Sequence, residues 1–476
     1  MSEKFSDTYF LDAKTALEVA KQKNRVTCTI AVDGLQICYY AGEKIKNSPN
    51  NCIHLPFEHV YEYFITSMNR VPKKIDYVNT NYSSSDQKLL TKKITEIIVA
   101  AQTQRMQLMN KYVRKIKLNK PNFSEPLRVF LAGCRETTVM QYASENIANT
   151  FKRMGYNVKF YIQKNDMEFC CALGLLKSLY KFNPHITVNI NHLNNEYLHE
   201  KVLNFVWFQD PMPVLTDNTE VTIRKRDYFF SLLETTDISL IKKGISKKKI
   251  LRQHICTNES IYNTKYKIQR EDKIVFIGAA YVLHFSNLPN EDLVIEEIKK
   301  SIGSHQLDLD AISKHYSFDY DYLKDRLYPG VIRRELVKMI CEHSKIPVEI
   351  YGLGWDQVPE TKPFFKGILS YGEDVARVYN SAKYGLVPNG YYQQRIYEMA
   401  LSGTIPLVYD RPIEKEPFKY ANNCLVFKDI DSLKKVLETT PIKNLKKITK
   451  DGTYKHMAKN ILKLSKKALS KKNAKG

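Results

Sequence analysis

The sequence predicts an α/β protein in which two successive doubly wound, parallel-sheet domains follow an N-terminal α+β extension. Three observations carry this expectation. Strand-like and helix-like segments alternate from Leu127 onward, a second alternation begins at Lys273, and the run Tyr384 to Tyr409 reads as strand, turn, helix and strand. Strands separated by helices are crossover-connected, and crossovers make parallel sheets.

Residues 1–125 form the extension. Thr27–Val32 and Leu35–Tyr40 flank Asp33-Gly34, a two-residue turn signal, and predict a hairpin. Ser85 and Asp86 are placed to cap a helix reaching about Leu118, with Leu89, Ile94, Ile97, Ile98, Met106, Met109 and Val113 on or near one face. Neither element carries recognisable chemistry, and the extension is read as an interaction or acceptor-side module.

Residues 126–268 form the first doubly wound domain. Arg128–Leu131 is a strand, Ala132-Gly133 a turn, Thr138–Met154 a helix stopped by Gly155, and Val158–Ile162 the next strand. Further strands are expected at Ile186–Ile190, Leu203–Phe208, Ile238–Ile241 and Lys249–Leu251. Residues 269–440 form the second domain. Its strand Lys273–Ile277 runs into Gly278, a charged and partly helical insertion covers 285–328, and a helix near 331–344 leads to the strand Val348–Tyr351 and the turn Gly352-Leu-Gly-Trp355. The two Rossmann-like domains are expected to face each other across a cleft. Residues 441–476 make a basic helical tail.

Length and composition agree with several globular domains: the 476 residues are 43% hydrophobic. No apolar run approaches the ~18 residues that span a bilayer, and the first residues lack a charged segment followed by an apolar one, so a cytoplasmic protein is expected. Nine cysteines without any C-x-x-C spacing argue for reduced thiols rather than a disulfide framework or a zinc ribbon. The net charge of +22 points to an anionic partner. Ile461, Leu462, Leu464 and Leu469 among tail lysines suit a helix lying on anionic lipid, so a peripheral contact with the inner membrane face is expected, with a solvated basic end as the alternative. No basic run interleaved with aromatics matches a nucleic-acid module.

The most informative feature is Arg395 and Glu398. Asn389-Gly390 is a turn signal, Ile396, Met399, Ala400 and Leu401 recur at helical spacing, and Gly403 stops the helix, so residues 392–402 form one short helix. Three positions apart, Arg395 and Glu398 share a face near the helix's positive end. A solvated ion pair is the simplest reading of such a pair in isolation. Their position after a parallel strand favours another: a diphosphate at the helix start and a ribose diol one turn on, at the sheet edge where open α/β folds bind ligands.

Taken together, Gly278, Tyr351-Gly-Leu-Gly-Trp355, Phe365–Glu373, Val378–Leu386 and Arg395-Ile-Tyr-Glu-Met-Ala-Leu-Ser-Gly403 resemble the C-terminal half of glycosyltransferases of the spore-maturation-protein (CgeB-like) type, within the GT-B superfamily. Phe205–Pro211 is similar to a segment of their N-terminal half. The resemblance implies sugar transfer from a nucleoside-diphosphate sugar to a glycan, protein or lipid-linked acceptor. It places the donor at Gly278, Gly354, Trp355, Tyr371, Asn389, Gly390, Gln394, Arg395 and Glu398. Gly133 and Arg135 follow a first-domain strand, where they would meet a phosphate or the acceptor. Asp210, His192 and His254, each after a strand-like segment, are the candidate bases.

No cofactor and no metal are expected, because a helix start and basic side chains can neutralise the leaving diphosphate. Of the D-x-D triplets, Asp308-Leu-Asp310 and Asp319-Tyr-Asp321 lie in the charged insertion, and Asp429-Ile-Asp431 reads as a helix cap. One departure is plain: many retaining members carry an acidic residue where Gly390 stands here, which leaves the stereochemistry open. A nucleotide-sugar epimerase or hydrolase of the same shape, and a basic nucleic-acid-binding protein, are the alternative classes.

Overall fold

The computed structural model describes residues 8–23, 37–41, 43–49, 51–66, 71–133, 138–163, 173–210, 212–216, 220–281, 288–390, 393–413, 419–438 and 444–470. They divide into two compact units, Met1–Arg252 with Asn460–Gly476, and Gln253–Lys459.

The first unit holds two sheets. The smaller contains β1 (Thr8–Phe10), β2 (Cys38–Tyr40), β3 (Cys52–His54) and β4 (Lys74–Asp76), in the order β3-β2-β1-β4 with every pair parallel. This corrects the expected hairpin. Thr27–Val32 lies outside the described residues, and β2, its expected partner, already pairs with β1 on one edge and β3 on the other. The long helix spans Ser84–Leu118 and is capped by Ser83, whose hydroxyl accepts from the Asp86 amide. Ile94, Ile98 and Ala101 are buried against the small sheet's core, whereas Leu89 and Met106 are exposed.

The larger sheet contains β5 (Arg128–Ala132), β6 (Asn157–Tyr161), β7 (Ile186–Ile190), β8 (Leu203–Phe208), β9 (Asp227–Ser231) and β10 (Ile250–Arg252), in the order β10-β9-β8-β7-β5-β6 with every pair parallel. Strands β7 and β8 are buried along their whole length, as a sheet covered on both faces requires. Ile238–Ile241, expected as a strand, belongs to the helix Glu234–Lys242. A four-residue apolar run cannot distinguish strand from helix. Here Glu234 and Asp237 in the first turn favour the helix, and only Leu240 of the apolar run is buried. The neighbouring strand is β9.

The second unit is built on β11 (Glu271–Ile277), β12 (Val348–Tyr351), β13 (Phe365–Gly367), β14 (Ala382–Val387), β15 (Ile405–Tyr409) and β16 (Leu425–Phe427), in the all-parallel order β13-β12-β11-β14-β15-β16. This is the doubly wound order in which the direction of winding reverses between the first and fourth strands. The charged segment before residue 328 is part of the core rather than an insertion: Val294, Ile295, Ile298, Leu309, Phe318 and Leu323 are buried in the same cluster as β11 and β12. Asp308, Asp319 and Asp429 each accept from a main-chain amide three residues on, at a helix start.

The tail helix runs Tyr454–Ser470. Ile461 is fully buried and Leu462 nearly so, which corrects the expectation that both face lipid. Among the described residues, no helix is long and apolar enough to cross a membrane.

Candidate functional site in the second unit

The winding of the second sheet reverses between β11 and β14, and it is at the C-terminal strand ends of such a reversal that open α/β folds form a ligand crevice. Gly278-Ala279-Ala280 leaves β11 and Pro388-Asn389-Gly390 leaves β14. Two glycines make room there. A Cβ on Gly278 would lie 3.2 Å from the Arg395 guanidinium, and one on Gly352 would lie 2.3 Å from the Gly278 carbonyl oxygen. Gly352 also has φ of +130°, which side-chain-bearing residues rarely adopt. The indole nitrogen of Trp355 donates to that same Gly278 carbonyl at 2.6 Å, and Gly354, in a left-handed conformation, brings the indole in.

The helix Gln394–Ser402 begins after Gly390, whose φ of +78° makes the turn, and ends at left-handed Gly403. Ile396 and Met399 anchor it in the core. Glu398 is buried, and Gln394 Nε2 lies 2.9 Å from Glu398 Oε1 and 3.1 Å from the Tyr371 hydroxyl. The buried Tyr262 hydroxyl is turned to the same carboxylate. Burial pushes the Glu398 carboxyl up to about 7, while the charge of Arg395, the nearby Tyr262 hydroxyl and the hydrogen bond from Gln394 restrain the rise.

Arg395 Nη1 donates to the Ile277 carbonyl at 2.6 Å, and its guanidinium sits over the Phe276 ring. A second cation, unforeseen in the sequence, comes from the helix Tyr328–His343. Arg333 is only 5% exposed, donates to Asn389 Oδ1 and to the Ala279 carbonyl, and stacks on the Tyr281 ring at 3.9 Å. Burial, and then the charge of Arg395, lower its pKa to about 10. Two guanidinium groups therefore feel each other across a glycine turn while their hydrogen bonds go to carbonyl and amide oxygens. That arrangement favours an anion. Arg333 shares its helix face with Leu336, Val337 and Ile340, all buried, so a cation on an apolar stripe was the available signal.

The expected donor residues therefore meet at one edge. Gly278, Gly354, Tyr371, Asn389, Gly390, Gln394, Arg395 and Glu398 lie on or beside the turns leaving β11, β12, β13 and β14. Trp355 is the exception: it is fully buried, and it fixes the Gly278 turn rather than offering a face to a ligand.

The expected bases separate. Asp210 is exposed at the end of β8, where Asn191 Nδ2 donates to its Oδ2 at 2.6 Å. His192 follows β7 and lines a pocket with Gly133, Ser144, Gln163 and Asn189 at the first sheet's own switch point, between β5 and β7. His254 does not join them. It belongs to the second unit, with its ring 6.5 Å from that of Tyr397 and 6.0 Å from that of Tyr420, a packing position. Arg135 lies outside the described residues.

The family model described as glycosyl transferase-like matches residues 333–463, the segment that begins at Arg333 and holds Asn389, Arg395 and Glu398. Over this segment, in the second unit, the chain is similar to glycosyltransferases. The match is to this broad model rather than to the spore-maturation type in particular. Among curated proteins, none matches this chain at a significant level.

Among solved structures it is similar to AviGT4, a glycosyltransferase involved in avilamycin A biosynthesis, with 10% identity over 72% of this chain and 98% of that one and a TM-score of 0.40. It is similar to SnogD from Streptomyces nogalater with 5% identity over 72% and 100% of the two chains and a TM-score of 0.38. The lipopolysaccharide outer core galactosyltransferase WaaB gives 11% identity over 71% and 99%, with a TM-score of 0.40.

Proposed function

We propose that this protein is a glycosyltransferase that uses a nucleoside-diphosphate sugar, held at the β11/β14 edge of the second unit, and transfers the sugar to a hydroxyl of a glycan, protein or lipid-linked acceptor without a metal ion. The observation that carries the reading is the pairing of Arg333 and Arg395 across the Gly278 turn, one helical turn from buried Glu398. Arg395 and Arg333 are the diphosphate ligands, and Glu398 accepts from the ribose hydroxyls. As the bond from the anomeric carbon to the diphosphate oxygen breaks, charge grows on the leaving group, and two fixed guanidinium groups stabilise it more than they stabilise the ground state. The acceptor oxygen forms the new bond and its proton goes to a base. Asp210, held by Asn191 at a strand end of the first unit, is the candidate for this base.

A thermal-shift series with several nucleoside diphosphates, each with and without EDTA, tests the reading. A ligand at about 100 times its dissociation constant adds about 2.7 kcal/mol of stability, well within detection. Stabilisation by a diphosphate, unchanged by EDTA and lost in Arg395→Ala, supports it. Stabilisation that needs added magnesium or manganese removes the metal-free account, and no response to any diphosphate removes the donor assignment.

A further inference from the structure

Tyr281 occupies an unusual place. It is three residues beyond Gly278, it has φ of +41°, and it is 38% exposed. A left-handed backbone at a bulky aromatic residue is strained and persists only where surrounding contacts hold it. The contact here is with Arg333, whose guanidinium carbon lies 3.9 Å from the ring centroid. Arg333 has its remaining hydrogen bonds on the Ala279 carbonyl and the Asn389 amide oxygen, from the two turns that frame the crevice. The ring thus closes one side of a cation that is otherwise desolvated and lies beside a second positive charge.

We propose that Tyr281 is a positioning residue of the anion site: its ring holds the Arg333 guanidinium flat and charged beside Arg395, so that two cations together meet a diphosphate. The inference rests on the diphosphate reading of Arg333 and Arg395 and adds a residue outside the matched family segment. A guanidinium offers its donors in its own plane, so a ring on its face leaves the edges free for phosphate oxygens. A desolvated cation–π contact is worth enough to decide whether a buried, like-charged guanidinium stays in place.

The test uses inorganic pyrophosphate, which carries the diphosphate chemistry with no base or sugar, and orthophosphate as its half-sized counterpart. Affinities are measured by calorimetry on the full chain. Tyr281→Ala should weaken pyrophosphate roughly 5-fold to 10-fold, with a smaller effect on orthophosphate, which one guanidinium can hold, and Tyr281→Phe should bind like wild type. Tyr281→Gly accepts the left-handed backbone without strain, so it should show the same loss at undiminished melting temperature, which separates the ring's role from folding. In an Arg333→Ala background, Tyr281→Ala should change nothing further. If Arg333→Ala and Arg395→Ala leave pyrophosphate binding intact, the diphosphate reading itself fails. If they abolish it while Tyr281→Ala and Tyr281→Gly bind like wild type, or if Tyr281→Ala adds its full loss in the Arg333→Ala background, the positioning role is overturned and the diphosphate reading stands.

Discussion

Gln394 and Glu398, one helical turn apart, are joined by a 2.9 Å hydrogen bond that ends on a buried carboxyl. Through the same nitrogen Gln394 also reaches the Tyr371 hydroxyl at the exposed rim, so the carboxyl is oriented from the direction in which a ligand would arrive. If Glu398 accepts from a ribose, Glu398→Ala loses a charge-assisted bond of about 1.5–3 kcal/mol and weakens nucleotide binding roughly 10-fold to 100-fold. Calorimetry on the folded variant checks this, and unchanged affinity refutes it.

The same carboxyl sets a pH dependence. Glu398 titrates near 7 in the folded protein and at about 4.3 when unfolded, so the folded state binds its proton more tightly. Its contribution to stability is complete below the unfolded value and is lost as pH rises through the folded one. Glu398→Gln, which stays neutral, should therefore gain melting temperature relative to wild type as pH goes from about 5 to about 8. Nucleotide affinity should run the other way in wild type, rising as the carboxyl ionises, and be flat in the Gln variant. Parallel melting curves for the two proteins across this range would contradict the shift.

Arg395→Ala should lower kcat more than it raises the donor KM, because the interaction strengthens as the leaving group gains charge. Arg395→Lys should recover only part of the loss, since a point charge cannot hold both the Ile277 carbonyl and a phosphate as a planar fork does. Steady-state kinetics with saturating acceptor decides it. Equal kcat in the Lys variant and wild type would speak against a phosphate contact.

Gly352→Ala introduces a methyl group against the Gly278 carbonyl at a backbone angle that disfavours it. The turn has to move, and the two terms together should cost about 2–4 kcal/mol, seen as a lower denaturation midpoint. Trp355→Phe keeps most of the volume but removes the donor to that carbonyl, and should cost nearer 1 kcal/mol. A Gly352→Ala protein as stable as wild type would show that the turn yields freely.

Ile461→Ala should destabilise the protein by about 2–4 kcal/mol, as expected for a fully buried isoleucine. A helix bound to lipid through the same side chain would show little change in urea denaturation and a clear loss of vesicle binding. The opposite pattern is expected.

The two doubly wound sheets were legible because each strand and crossover announces itself locally. Gly155, Gly278 and Gly403 punctuate helices and strands, and β7, β8 and β12 fall on the expected residues. The Arg395/Glu398 face was legible for the same reason: spacing on a helix is local. What was not legible depends on partners far away in the chain. Asp33-Gly34 looked like a hairpin turn, but β2 takes its neighbours from residues 8–10 and 52–54. Ile238–Ile241 turned on which side of a helix met the sheet. Arg333 lies 62 positions before Arg395, and nothing in either local pattern says that they share a turn. Tail residues Ile461 and Leu462 fit a lipid surface and a protein core equally well, because both are apolar; only the fold distinguishes them.

The helix Tyr454–Ser470 begins in the second unit and, from Asn460 onward, is counted with the first. Residues translated long after Arg252 thus supply Ile461, Leu462 and Ser465 to the unit that Arg252 closes. Synthesis at about 5–20 residues per second leaves that unit without its closing helix for some tens of seconds. A nascent chain halted before residue 460 therefore keeps an uncovered apolar seam, and chaperone capture should concentrate there until residues 460–470 are translated.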